Sequence, residues 1–239
     1  MATYLLLHAF PFDGSMWDDV AERLRADGHT ILAPDLRGFG ASPLGDDEPD
    51  IDRMVDDTLP LLAAPAVIAG CSMGGYVALG IARRRPDLVQ ALALIDTKAT
   101  SDGEAAQANR ERIAVLAETG GEWATGMIDG LLGATTRETS PDLMARVAGA
   151  LADAPRATVS WAQRAMAVRP EALGALRDLA DPVLVVVGDE DTMSPMSEQE
   201  LIVGACADAR LVVIAECGHL SPLEAPTDVA AALASLARR

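Results

Sequence analysis

The chain is short of lysine, cysteine and histidine, and each shortage narrows what it can do. Lys98 is the only lysine, and 19 basic residues face 36 acidic ones, for a formal net charge of −17. A surface this negative repels phosphate backbones, which argues against nucleic acid as a partner. The three cysteines, Cys71, Cys206 and Cys217, form no CxxC pair and no Cys/His cluster. An odd number in a chain of this length argues against a disulfide framework, and the missing cluster argues against a zinc site. No apolar run approaches the roughly 20 residues of a membrane span, which argues against a membrane partner. The start, Met1 to His8, lacks a basic region, and its apolar run is too short for a signal peptide, so a cytoplasmic protein is expected. Three histidines, His8, His29 and His219, are available for acid–base chemistry near neutral pH.

What is present reads as one soluble α/β domain. The 239 residues are 50% hydrophobic and 23% charged, enough for a sizeable core. Short apolar runs recur at Tyr4–Leu7, Thr30–Ala33, Ala66–Ala69, Ala91–Ile95, Val183–Val187 and Leu211–Ile214. They are nearly continuous rather than alternating, the habit of parallel strands buried on both faces. Helical patterns lie between them, at Met16–Arg25, Met54–Leu62, Tyr76–Arg84, Glu198–Ala207 and Asp228–Ala237. This alternation predicts βαβ units in a doubly wound, mostly parallel sheet of about six strands. The stretch Thr97–Ala180 contains no strand pattern. It holds amphipathic segments at Glu104–Glu118, Glu122–Leu132, Pro141–Ala152 and Pro155–Ala167, split by glycine and proline. The expected organisation is a core of residues 1–96 and 181–239 with a helical cap, 97–180, inserted between two strands.

One motif carries nucleophilic chemistry. Gly70-Cys71-Ser72-Met73-Gly74 is a G-x-S-x-G between a strand and a helix. The turn is sharp enough to strain its central residue, and its neighbours must be small. It lifts the Ser72 hydroxyl above the sheet, in front of the unpaired N–H groups of a helix N-terminus. Cys71, the rival nucleophile, is expected to point into the core. The base is expected to be His219, in the loop after the last strand, where open α/β sheets build their sites. His29 precedes a strand at the opposite end and reads as an exposed loop residue. His8 ends the first strand on the correct side and is expected to line the pocket or fix the loop after it. Asp189, Glu190, Asp191 and Asp96 all follow strands as candidate acids, and spacing does not choose among them.

These motifs, in this order, resemble those of the α/β-hydrolase superfamily, in particular small carboxylesterases, enol-lactonases and cofactor-free haloperoxidases. His8-Ala9-Phe10-Pro11 resembles that family's H-G-F-P loop, and Asp35 to Ser42 its D-x-R-G-x-G-x-S stretch. Gly188 to Pro195 is similar to its G-x-x-D-x-x-x-P, and Gly218-His219 through Glu224 and Pro226 to its closing G-H-x-x-x-x-E-x-P. The resemblance implies a catalytic triad of Ser72, Asp191 and His219, with the backbone N–H groups of Phe10 and Met73 as an oxyanion hole. It implies hydrolysis of a small ester or lactone through an acyl-enzyme, with no cofactor and no metal. Ala9 stands where the family has glycine. The sequence opens on the strand leading into the oxyanion loop, without the family's preceding hairpin, as do hydroxynitrile lyases and plant-type methyl esterases. A serine nucleophile separates the chain from epoxide hydrolases and haloalkane dehalogenases. Two other readings keep the same scaffold. One is C–C or cyanohydrin cleavage, for which Lys98 is the one lysine available; the other is a slow-turnover ligand receptor. Trp123, Met127, Leu131, Leu132, Trp161 and Met166 are candidates for an acyl pocket or for the cap's own core. Oligomeric state is left open.

Overall fold

The six apolar runs become six strands, and all pair in parallel. The computed structural model describes residues 1–236. It contains β1 (Thr3–Leu7), β2 (Thr30–Leu32), β3 (Ala66–Cys71), β4 (Val89–Ile95), β5 (Val183–Gly188) and β6 (Ala209–Ile214), in the order β2-β1-β3-β4-β5-β6. Pairings such as Leu7 with Gly70, Cys71 with Ile95 and Gly188 with Ile214 bring the strand C-termini to one edge of the sheet. That edge is where the loops carrying Ser72, Asp96, Asp191 and His219 emerge.

The four inner strands are almost wholly buried, as continuous Val, Ile, Leu and Ala runs require. The two outer strands depart from that expectation. β2 has no fully buried residue, and in β6 Arg210 and Val213 face solvent. A run of apolar residues does not reveal whether a strand gains one neighbour or two; sheet position decides it.

Helices α1 (Asp18–Ala26), α2 (Ile51–Thr58) and α3 (Met73–Arg84) precede β4. Between β4 and β5 come α4 (Glu104–Glu118), α5 (Met127–Leu131), α6 (Ala134–Thr139), α7 (Pro141–Asp153), α8 (Arg156–Ala167) and α9 (Leu173–Asp178). α10 (Met196–Ala205), α11 (Ser221–Glu224) and α12 (Pro226–Ala234) complete the chain. Residue 237, the end of the last helical pattern, lies outside the described residues. Each pattern in the sequence has a helix, with one shortened: Glu122–Leu132 is helical only from Met127, because Gly126 takes φ +76°. α6, α9 and α11, of four to six residues, are too short to show a helical period.

α3 packs on β1, β3 and β4, and α10 on β5 and β6, while α1 and α12 pack against each other. The segment 97–180 is joined to the rest by hydrogen bonds. Trp161 Nε1 donates to the Asp47 carbonyl at 2.8 Å, and Thr158 Oγ1 to the Gly38 carbonyl at 2.9 Å. Within it α4 packs on α8, where Arg164 grips Glu111 at 2.9 Å and also pairs with Glu118. Among the described residues no helix is long and apolar enough to cross a membrane. His29 is half-buried rather than exposed. Its Nδ1 accepts from the Ala2 N–H at 3.2 Å, and its ring meets Tyr4 edge-on.

Asp96, one of the candidate acids, does not reach the His219 ring. It is fully buried at φ +46° just beyond β4. Its two oxygens accept from the Gly188 N–H at 3.1 Å and the Ser221 N–H at 2.9 Å. It therefore stitches β4 to the end of β5 and to the loop after β6. Burial pushes its carboxyl up to about 8, with Asp191 nearby adding to the effect. Asp96→Asn leaves one of the two backbone donors facing an amide N–H₂. The expected result is a loss of about 1–3 kcal/mol of stability, read as a lowered Tm, with the Ser72 hydroxyl still labelled by a fluorophosphonate. An unchanged Tm would remove Asp96 from this stitching role.

Candidate active site

Ser72 sits between β3 and α3 at φ +51° and ψ −113°. An L-residue pays of order 1–3 kcal/mol for such a backbone, so its neighbours must hold it there. Its N–H donates to the Ile95 carbonyl at 3.0 Å, and its carbonyl accepts from Thr97 Oγ1 at 2.8 Å. A Cβ on Gly70 would lie 2.1 Å from the Gly74 carbonyl oxygen, and one on Gly74 would lie 2.1 Å from that of Leu7. Glycine at both positions is therefore a packing requirement: α3 can start this close to β1 and β3 only without those side chains.

The structure brings Ser72, His219 and Asp191 into one hydrogen-bonded chain. Ser72 Oγ lies 2.8 Å from His219 Nε2, and His219 Nδ1 lies 2.9 Å from Asp191 Oδ2. Asp191 Oδ1 accepts from the Met193 and Ser194 N–H groups at 2.8 and 3.0 Å, and Ser194 Oγ donates to Oδ2. With Oδ1 occupied by backbone donors, Oδ2 faces the imidazole. Burial alone would raise the Asp191 carboxyl, but His219 and the Ser194 donors outweigh it and hold it below the usual range. Burial alone would likewise lower His219, but the Asp191 charge and hydrogen bond outweigh it and raise the imidazole above its ordinary value. An Nδ1–H donated to a carboxylate leaves the Nε2 lone pair directed at the Ser72 hydroxyl, the arrangement proton abstraction needs.

The other candidate acids lie elsewhere. Asp189 is exposed and approaches the Cys217 N–H at 3.4 Å. Glu190 accepts from Thr135 Oγ1 at 2.6 Å, and Asp96 serves the backbone. Cys71 is buried, and burial pushes its thiol well above the usual range. Its Sγ faces Asp96 and the His219 carbonyl, not the cleft.

Phe10, in the loop after β1, lines the same cleft as Ser72, and Met73 follows Ser72 directly. Met73 is the first residue of α3, where N–H groups lack an intrahelical acceptor. Among the described residues the Phe10 N–H meets no acceptor. His8, of the two roles expected, takes the second. It is wholly buried, its Nε2 accepts from the Leu36 N–H at 2.9 Å, and its Nδ1 reaches the Ala9 carbonyl at 3.0 Å. Burial lowers it to about 4, so it stays neutral and pins the loop on which Phe10 sits.

Ser72 and His219 open into a cleft of about 760 Å³. Of the acyl-pocket candidates, Met127, Leu131 and Met166 line it. Trp123 instead meets the Phe10 ring edge-on at 5.9 Å, and Trp161 bonds Asp47. The sequence reading weighed Lys98 but missed four contributors: Ser194, Thr97, Glu224 as a clamp, and the polar wall that Asp102, Arg110 and Gln163 form with Lys98. Glu224 accepts from the Gly218 and Leu220 N–H groups at 3.0 and 3.1 Å and from Gly133 at 2.9 Å, fixing the His219 loop. Its place in G-H-x-x-x-x-E-x-P was the available signal; the polar wall, from distant segments, offered none. Among the described residues no cluster of three or more His, Cys, Asp or Glu is arranged to hold a metal.

The same architecture recurs in known proteins. The profile described as "Alpha/beta hydrolase family" matches residues 4–232. A pimeloyl-(acyl-carrier protein) methyl ester esterase of Aromatoleum aromaticum is 32% identical over 98% of this chain and 97% of its own. Lipase LipV of Mycobacterium tuberculosis is 31% identical over 98% of this chain and 92% of its own. Among solved structures, a thermophilic esterase from Thermogutta terrifontis has a TM-score of 0.93 at 35% identity, covering 100% of this chain and 90% of that one. Agreement of this extent in both sequence and structure establishes that the chain belongs to the alpha/beta hydrolase family.

Proposed function

We propose that the protein is a serine hydrolase that cleaves small carboxylic esters or lactones through an acyl-enzyme. The observation that carries this reading is the unbroken chain from Ser72 Oγ through His219 to Asp191, at 2.8 and 2.9 Å. The relatives named as methyl ester esterase, lipase and esterase support ester hydrolysis as the chemistry.

Ser72 Oγ attacks the carbonyl carbon while His219 Nε2 takes its proton. Asp191 holds the imidazole in the Nδ1–H tautomer and stabilises the imidazolium. The N–H groups of Phe10 and Met73 receive the oxyanion, a contribution of about 3 kcal/mol for each well-placed donor. His219 passes its proton to the leaving alcohol, then activates water to release the acid and restore Ser72. Segment 97–180 acts as a cap over the core of 1–96 and 181–239, since α4, α5 and α8 supply Ile113, Met127, Leu131 and Met166 to the cleft. A second reading, C–C or cyanohydrin cleavage on the same triad, draws on the position of Lys98 in the cleft. Cleavage of mandelonitrile in the absence of ester turnover would favour it. Failure of both, with tight ligand retention, would favour a receptor.

A fluorophosphonate is expected to label the protein once, at Ser72, as read by peptide mass spectrometry. Ser72→Ala should abolish the label and cut p-nitrophenyl acetate turnover by a factor on the order of 10³ or more. Label on Cys71, or undiminished turnover, sinks the proposal.

The imidazole must be neutral to accept the proton, so kcat/KM should rise with pH and then level off. Because Asp191 raises His219, the midpoint should lie above the ordinary histidine value of 6.5. A midpoint well below it would mean that Asp191 does not act on the base.

Asp191→Asn should leave labelling possible and folding intact while mis-setting the tautomer, at a cost of about 10⁴ in kcat by analogy with serine protease triads. Asp189→Asn should cost far less. The reverse ranking in steady-state assays would assign the acid to Asp189.

A further inference from the structure

The cleft contains a cation without a counter-ion. Five other basic side chains are partly or fully buried among the described residues, and all five, Arg37, Arg110, Arg137, Arg164 and Arg169, pair with a carboxylate. Lys98 pairs with none and makes no hydrogen bond there. It is half-buried beyond the end of β4 and lines the cleft together with Tyr76, Ser72 and His219. An exposed ammonium loses nothing by standing alone. A half-buried one surrenders part of its hydration, and only a partner compensates. The chain carries an excess of 17 negative charges, so the absence of a carboxylate beside its only lysine is not for want of acids.

The surroundings reinforce that charge. Arg110 lines the cleft from α4, and Arg169 stacks on Tyr76 with its guanidinium carbon 3.9 Å from the ring centroid. Both bind the same carboxylate, Asp102, with Arg169 at 2.7 Å. Three cations against two carboxylates, Asp102 and Glu198, leave this wall with one positive charge in excess. Other acidic groups nearby are already engaged. Asp52, which shares a groove with Lys98, is held by Arg83 at 2.6 Å, while Glu198, with only the Thr100 hydroxyl at 2.8 Å, keeps its charge on the Arg169 side. Asp191 lies behind His219, and Asp96 is buried beneath the loops. The rest of the cleft is largely apolar, with Phe10, Ile113, Leu131 and Met166. A ligand matched to it has an apolar body and one negative end. One free ammonium balances the single charge of a carboxylate, whereas a phosphate dianion would remain half-compensated.

We propose that Lys98 is a specificity residue that binds a carboxylate of the substrate, which makes the substrate class the half-esters of dicarboxylic acids. The free carboxylate lies on Lys98 and the ester carbonyl at Ser72. This rests on the hydrolase reading above.

The test compares monomethyl glutarate with dimethyl glutarate as substrates of the wild type, Lys98→Met and Lys98→Arg. The wild type should prefer the half-ester in kcat/KM. Lys98→Met should reduce that preference by about 10- to 100-fold, the scale of one charge-assisted contact, and Lys98→Arg should restore part of it. The preference should also shrink with added salt. Glutarate, titrated calorimetrically, should bind the wild type and bind Lys98→Met at least tenfold more weakly, a readout independent of turnover. A wild type that hydrolyses neither ester sinks the hydrolase reading. Hydrolysis of both with a ratio that Lys98→Met leaves within about twofold, or glutarate binding indifferent to Lys98, overturns this proposal.

Discussion

The backbone of Ser72 is held where an L-residue resists going, and much of the C-terminal edge of the sheet serves to keep it there. Ile95 of β4 takes its N–H, Thr97 donates to its carbonyl, and the glycines at 70 and 74 let α3 close onto β1 and β3. Release any of these and the hydroxyl loses its position over the helix N-terminus. The strain is affordable because the strands around it are the most deeply buried part of the molecule. A rigid, dry core over-determines one backbone angle that local preference would reject.

The same edge must also hold ionisable groups out of water. Asp191 is kept charged by two backbone N–H groups, Ser194 and the imidazole it orients. Asp96, a short distance away, faces the opposite balance. It has two backbone donors and no ion pair, and burial with Asp191 nearby outweighs the pull of His219 and raises its carboxyl. The two aspartates thus divide the work, one setting a base and the other tying β4 to β5 and to the His219 loop. Glu224 adds a third carboxylate, gathering N–H groups from that loop and from Gly133. The loop is fixed from several sides before any ligand arrives, which is what preorganised catalysis demands.

Charge is distributed against the average. The protein is strongly acidic as a whole, yet Lys98, Arg110 and Arg169 gather beside the cleft, the two arginines sharing Asp102 and Lys98 unpaired. At physiological ionic strength, exposed charges more than about 8 Å away are largely screened. The local wall, not the net charge, then governs what a bound ligand feels. Net charge accounts for the behaviour of the whole surface, and the cleft's own groups account for recognition.

The sequence alone determined much of this. Continuous apolar runs specify parallel inner strands, the glycine pattern around Ser72 specifies the elbow, and the scarcity of histidine leaves few bases to consider. These are local properties, written in neighbouring residues and their periods. Other features belong to the tertiary structure. Spacing left Asp189, Glu190, Asp191 and Asp96 equivalent, and resemblance favoured Asp191; the fold gives each its own partners, Met193, Ser194 and His219 for Asp191, Cys217 for Asp189, Thr135 for Glu190, and Gly188 and Ser221 for Asp96. β2 and β6 carry the composition of buried strands and become edges because the sheet ends there. Lys98 could be named from the sequence as the one lysine available to a site, but not the groups around it, since Tyr76, Arg110 and Gln163 reach the cleft from α3, α4 and α8. A contact between distant segments has no period and no motif, so folding alone decides which side chains face one another.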